Sequence, residues 1–407
     1  MTMKIILENW RRFVDEAGKP KSTLKDKSLE IIPKLKELNE TLDDLLSNSI
    51  FIFFDTETTG LSGDFDQITE LAYGVFQGEQ LQPIKKQIPG SAPSKTKPNL
   101  YQFMADLTPQ IQSRINRQNI RKERATKIKN GELSPEAIPK PENMSDEDWQ
   151  KELDKTLDMK KKLELLDDQN LSKKERESLL FRTAGIGHVL ALTHYEENKQ
   201  IFLQQTGNKN VSEEQMLKSF WNLLNSIENK VVVAHNAQFD IKMIMERPNK
   251  YPGKIPVGNL KSESIIDTIK LAKVYVPALQ EYKNILEKEL NEIAHSSQTK
   301  IDEEAEDIER LKKQILPMSD NPVGQRIIIL QILLIAVNKS LQYAEEMEQK
   351  IEQKFSYTLG NIAKTINIDP SKAHQATEDV DMLVSVFKHL RDAINMLYNE
   401  LTKRDIK

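Results

Sequence analysis

A chain of 407 residues has room for two or three domains, or for one domain with large insertions. Its 58 Lys and Arg against 62 Asp and Glu leave a formal charge of −4, which excludes the global positive charge of a histone-like binder and makes any nucleic-acid contact a local one. The complete lack of cysteine excludes disulfides, thiolate-bound zinc, iron–sulfur clusters and a thiol nucleophile, and it fits a reducing cytoplasm. The longest apolar stretch, 327–337, is interrupted by Gln331 and is too short to cross a bilayer. Only three strong hydrophobes precede Glu8, too few for a secretory leader, so a cytoplasmic protein without a membrane partner is expected.

In chain order, 1–49 reads as N-terminal helices: a short amphipathic one over 3–17, then one over 28–46 with an apolar stripe and Pro33 near its first turn. Ile50–Phe54 is a continuous apolar run ending in Asp55, the pattern of a central strand buried on both faces. Ile68–Phe76 and Leu81–Ile88 read as further strands around a turn at 77–80, which completes a first core segment, 50–90. From Pro89 the composition turns to Pro, Ser and Lys. A basic stretch follows, with Arg114, Arg117, Arg121, Lys122, Arg124, Lys127 and Lys129, and then a charged helical segment near 146–180. Residues 91–185 read as a charged, partly helical insertion.

The sheet-and-helix pattern resumes over 186–280, with strands expected at Ile201–Gln205 and Val231–Ala234 and a helix over 212–227. Met243 and Met245 read as core filling. Residues 281–355 carry a stripe from Ile285 to Ile315, a turn at 317–324 and the apolar run 327–337, read together as a long antiparallel helical hairpin. Two helices over 357–366 and 371–397 close the core within 356–407. The whole is an α/β protein, a mixed sheet flanked by helices with two mostly helical insertions.

Three acidic clusters stand at the edges of these elements. Asp55-Thr56-Glu57 ends the buried strand, and its period-two spacing puts both carboxylates on one side of the chain. His235-Asn236-Ala237-Gln238-Phe239-Asp240 follows the strand at 231–234, and His374-Gln375-Ala376-Thr377-Glu378-Asp379 opens the last helix. Four carboxylates suit hard cations such as Mg²⁺, which take oxygen ligands. A pair of such ions activates water and steadies the leaving oxygen in phosphodiester hydrolysis. His374 has a side chain able to accept the water's proton near neutral pH.

With these motifs in this order, the chain resembles the DnaQ-like DEDD exonuclease superfamily, whose fold is RNase H-like. His374, five positions before Asp379, points to the DEDDh branch; the tyrosine branch would place its base at the position held here by Gln375. The resemblance implies 3′-to-5′ hydrolysis of single-stranded DNA or RNA ends, DNA favoured, releasing nucleoside 5′-monophosphates in proofreading or repair. It assigns Asp55, Glu57, Asp240 and Asp379 to two Mg²⁺, with Mn²⁺ able to substitute, and His374 to the base. Thr58, Leu61, Asn236 and Phe239 match positions that touch or flank the terminal nucleotide. Ile266-Asp267-Thr268 and 356–362 also resemble family segments. The resemblance covers about 51–90, 200–275 and 356–395 and leaves 1–49, 91–180 and 281–355 without an assignment. A polymerase or other protein partner would dock on the helical insertions or the N-terminal helix. The alternative from another class is an inert nucleic-acid-binding scaffold that keeps the fold. Asp267 reads as an acceptor at a helix start rather than as a ligand.

Overall fold

The computed structural model describes residues 24–142, 144–165, 184–207, 209–297, 326–338, 341, 358–365, 368–369 and 375–405. Helix α1 (Leu24–Asn48) leads into the central strand β1 (Ile50–Thr58). The strand β2 (Ile68–Gln77) returns antiparallel to β1, and β3 (Gln82–Pro83), β4 (Ala92–Pro93) and β5 (Leu100–Met104) extend that side. Among the described residues the helices α2 (Pro109–Lys129), α3 (Asp146–Leu165) and α4 (Ala184–Thr206) follow. Then come α5 (Glu213–Asn225), β6 (Lys230–Ala234), α6 (Ala237–Glu246) and β7 (Ile265–Asp267). The chain continues through α7 (Thr268–Ser297), α8 (326–338), α9 (Leu359–Thr365) and α10 (Ala376–Asp405).

The sheet is mixed and open, with the order β4-β5-β2-β1-β6-β7 and β3 paired to β2. Strands β1, β6 and β7 are parallel, whereas β2 is antiparallel to both β1 and β5. The run Phe51–Phe54 is fully buried because each face of β1 carries its own core. Phe51 and Phe53 join α1, α7, α8 and α10, and the Phe53 ring meets Phe387 of α10 edge-on at 5.4 Å. Ile52 and Phe54 join α5 and α6, with Phe54 and Phe220 at 5.4 Å. Ser212 and Gln215 form a reciprocal capping box that starts α5 where the apolar stripe begins.

Several sequence expectations change. Ile201–Gln205 is the end of helix α4, not a strand. A short apolar run reads the same in a strand and in a buried helix turn, and here Phe202 packs on Met104 and Tyr195. Within Leu81–Ile88 the strand is two residues long, Gln82 and Pro83 beside β2, with one further bond from Ile84 N–H to the Val75 carbonyl at 2.7 Å. The sheet continues past residue 90 through β4 and β5, inside the stretch read as an insertion. Helix α1 starts earlier than expected, so Pro33 lies inside it. The hairpin's first arm is continuous with a helix that begins at Thr268, and Leu286, Leu290, Ile327, Leu330 and Leu334 belong to the main core. Met243 is buried, but Met245 is 37% exposed, as a two-residue step of roughly 200° around a helix requires. The expected helix at 3–17 and the turn at 317–324 lie outside the described residues.

Phe53 touches Phe51, Phe76 and Phe387 with no solvent access. Phe53→Ala is expected to cost about 3–5 kcal/mol in urea unfolding, from lost transfer energy plus the cavity. A loss under about 1 kcal/mol would mean that this layer is not packed as described.

Candidate metal centre

Alternation along β1 decides which side chains meet. Asp55 and Glu57 share the face of Phe51 and Phe53, the face covered by α10, and Asp379 lies in the first turn of that helix. Ligand oxygens of Asp55, Glu57 and Asp379 lie within 4.8 Å of one another, so these half-buried carboxylates could hold a metal ion. Thr56 faces the other way, toward α6. Its backbone N–H and its hydroxyl donate to Asp240 Oδ1 at 3.2 and 2.6 Å. Asp240 therefore reaches the strand end from the opposite face, outside the group of three, though its charge still bears on Asp55.

A fifth acidic residue, Glu70, escaped the sequence reading. It pairs with Glu57 across the β1–β2 ladder and is buried. The one signal available was its position in an apolar strand, Ile68 to Phe76, where an unpaired carboxylate has no place. Burial first, and then mutual repulsion among Asp240, Glu57, Asp379 and Glu70, pushes Asp55 well above the usual carboxylate range. The same causes, burial leading, raise Glu57 to about 8. Burial raises Asp240 to about 7 against the pull of its Thr56 hydrogen bonds, and Glu70 to about 7 against its own donors. A hard divalent cation among these oxygens would remove that repulsion, so the all-carboxylate donor set suits such an ion.

The other expected site residues are spread around this centre. Thr58 ends β1 and donates its hydroxyl to the Gly60 carbonyl at 2.7 Å. In the loop that follows, Leu61 is 65% exposed, and so, at 68%, is Phe65, which sequence reasoning did not single out. Gly60 is glycine for a local reason: a Cβ there would lie 2.5 Å from the Asp66 carboxylate. Asp66 accepts from Ser62 N at 2.9 Å and from Arg114 at 3.0 Å, which fastens the loop to α2. On its other side the loop is held by Arg247, which donates to the Gly63 carbonyl at 3.1 Å while forking onto buried Glu213. Glu213 in turn accepts from Ile68 N at 2.8 Å.

Asn236 adopts the left-handed region at φ 57° and turns β6 tightly into α6. Its side chain makes no cap bond, and its N–H donates to Asp267 Oδ1 at 3.1 Å. Asp267 also accepts from Ile269 N at 3.0 Å, a structural acceptor at a helix start. His235 Nδ1 lies 2.9 Å from Thr268 Oγ1 and ties the same corner. Phe239 is half-buried against the α5–α6 core. His374 lies outside the described residues. Much of the basic stretch is engaged within the protein: Arg114 with Asp66, Arg121 with Glu152, Lys127 with Glu123, and Arg124 over the Trp149 ring. Among the described residues no helix is long and apolar enough to cross a membrane.

The raised carboxyls set the pH dependence of the metal-free protein. Each binds more protons folded than unfolded, so stability falls as pH rises, from the ordinary 4.5 of Glu57 toward its folded value of about 8. In EDTA, Tm is expected to drop between pH 5 and pH 8, and Glu57→Gln is expected to flatten that drop. A Tm that rises over the interval would contradict the description of the centre.

No protein-family model matches the chain, and a search of curated proteins returns no match either.

Proposed function

We propose that this chain is a metal-dependent 3′-to-5′ exonuclease of the DnaQ-like DEDDh type on an RNase H-like fold, cutting single-stranded 3′ ends to nucleoside 5′-monophosphates. The observation that carries the reading is the convergence of Asp55, Glu57 and Asp379, from chain segments more than 300 residues apart, on one spot within 4.8 Å. The spot lies at the carboxyl end of β1, where its neighbours change from parallel β6 to antiparallel β2, the kind of position where open α/β sheets bind ligands.

Asp55, Glu57 and Asp379 would hold the cations, with Asp240, oriented by Thr56, as the fourth carboxylate. Mg²⁺ held there would supply charge to the phosphodiester and would lower the pKa of the attacking water. His374 takes that water's proton. The exposed Leu61 and Phe65 give unpaired bases an apolar surface, which a duplex could not use without opening. DNA is the favoured substrate, and trimming of 3′ ends in proofreading or repair is the process such a reaction serves.

The test follows 5′-labelled single-stranded DNA and RNA in Mg²⁺ or EDTA, beside Asp240→Asn and His374→Ala. A ladder shrinking from the 3′ end only in Mg²⁺, absent for Asp240→Asn and slowed by about 10²–10⁴-fold for His374→Ala, is expected. Intact label in every lane, with a gel shift, would replace this reading by the nucleic-acid-binding scaffold.

A further inference from the structure

Glu70 is the most unusual residue near the centre. It stands directly across the antiparallel ladder from Glu57, and it is 1% exposed. Like charges opposed across a ladder destabilise a sheet, and a buried carboxylate is tolerated only where donors surround it. Donors from three separate elements do surround it. Oε1 accepts from the Gln102 amide on β5 and from the Ala376 backbone N–H at 3.1 Å. Oε2 accepts from Asn198 Nδ2 on α4 at 3.0 Å.

Ala376 is the first residue of α10, so its N–H is one of the donors that a helix start leaves without an intrahelical acceptor. Asp379 lies three residues further along the same turn. The outside of this turn is held by Lys97, from the β4–β5 connection, which pairs with Glu378 and, at 2.9 Å, with Asp381. Those pairs are partly open to solvent and hold the helix less firmly than a buried acceptor does.

We infer that Glu70 is a positioning residue: by accepting the first amide of α10 it fixes the turn that brings Asp379 within ligand distance of Asp55 and Glu57. Gln102 and Asn198 orient the Glu70 carboxylate for that contact. Helix α4 thereby takes part in the centre, although none of its residues belongs to the three acidic motifs. The inference rests on the reading of the acidic centre as a cation site.

Mn²⁺ binding to the full chain, measured by calorimetry, separates this role from alternatives, with kcat and KM on a single-stranded oligonucleotide as a second readout. Glu70→Ala is expected to weaken Mn²⁺ binding by about 10–100-fold, as loss of an orienting partner does, and to lower kcat with KM little changed. Glu70→Gln is expected to restore most of the affinity. Its amide oxygen still accepts from Ala376 and Gln102, and Asn198 can turn its own amide to receive the new NH₂. Asn198→Ala should give a smaller loss, and it carries the test if Glu70→Ala shows no cooperative melt. Wild-type affinity in a folded Glu70→Ala, or in Asn198→Ala where the former does not fold, overturns the inference alone. A loss in Glu70→Gln as deep as in Glu70→Ala also overturns it, because the charge itself would then be required. Wild-type protein that binds no Mn²⁺ removes the cation-site reading, and this inference with it.

Discussion

Mutual repulsion among carboxylates held out of bulk water is the constraint around which this molecule is arranged. Asp55, Glu57, Glu70 and Asp379 share one corner, and Asp240 stands across the strand end. Left alone, such a cluster would spread or stay protonated, since moving charge from water into a protein interior costs several kcal/mol per group, to order of magnitude. Here spreading is resisted by rigid supports. The β1–β2 ladder fixes Glu57 against Glu70, and Thr56 pins Asp240 with two hydrogen bonds to one oxygen. Burial of the phenylalanines of β1 beneath α5 and α10 keeps those supports from moving apart.

The parts outside the three motifs gain a role from the same constraint. The sheet does not stop where the sequence turns Pro-rich: β5 lies beside β2 and sends Gln102 to Glu70. Helix α4 sends Asn198 to the same carboxylate. Helix α2 holds the loop after β1 through Arg114 and Asp66, so part of the basic stretch acts within the fold. The opposite side of that loop depends on Glu213 and Arg247, a buried ion pair whose remaining hydrogen-bonding capacity is used by Tyr251 and by backbone groups. Such a pair holds a geometry more than it adds stability, because removing either member leaves an uncompensated buried charge.

What was legible in the sequence had a local signature. An unbroken run of five apolar residues before Asp55 marks a doubly buried strand, and period-two spacing puts Asp55 and Glu57 on one face. The helix expected over 212–227 and the acidic start of α10 are also local. The errors arose where local patterns are ambiguous. Ile201–Gln205 has the composition of a strand but lies in a helix, and the partner that buries Phe202 from outside that helix, Met104, is far away in sequence. Glu70 was passed over because a single acid in an apolar strand has no pattern of its own; its meaning comes from partners 32, 128 and 306 residues distant.

By itself, then, the sequence determined the mixed α/β character, the central strand and the acidic residues other than Glu70, all of which follow from spacing and side-chain chemistry within a few residues. Only the tertiary structure decided which of those acids meet. Strand alternation and helix packing bring Asp379 onto the face of Asp55 and Glu57 and leave Asp240 on the other, bonded to Thr56. The distinction is physical: a residue's chemistry is carried by its own side chain, whereas a ligand distance is set by which surfaces exclude water together, and that is a property of the whole chain.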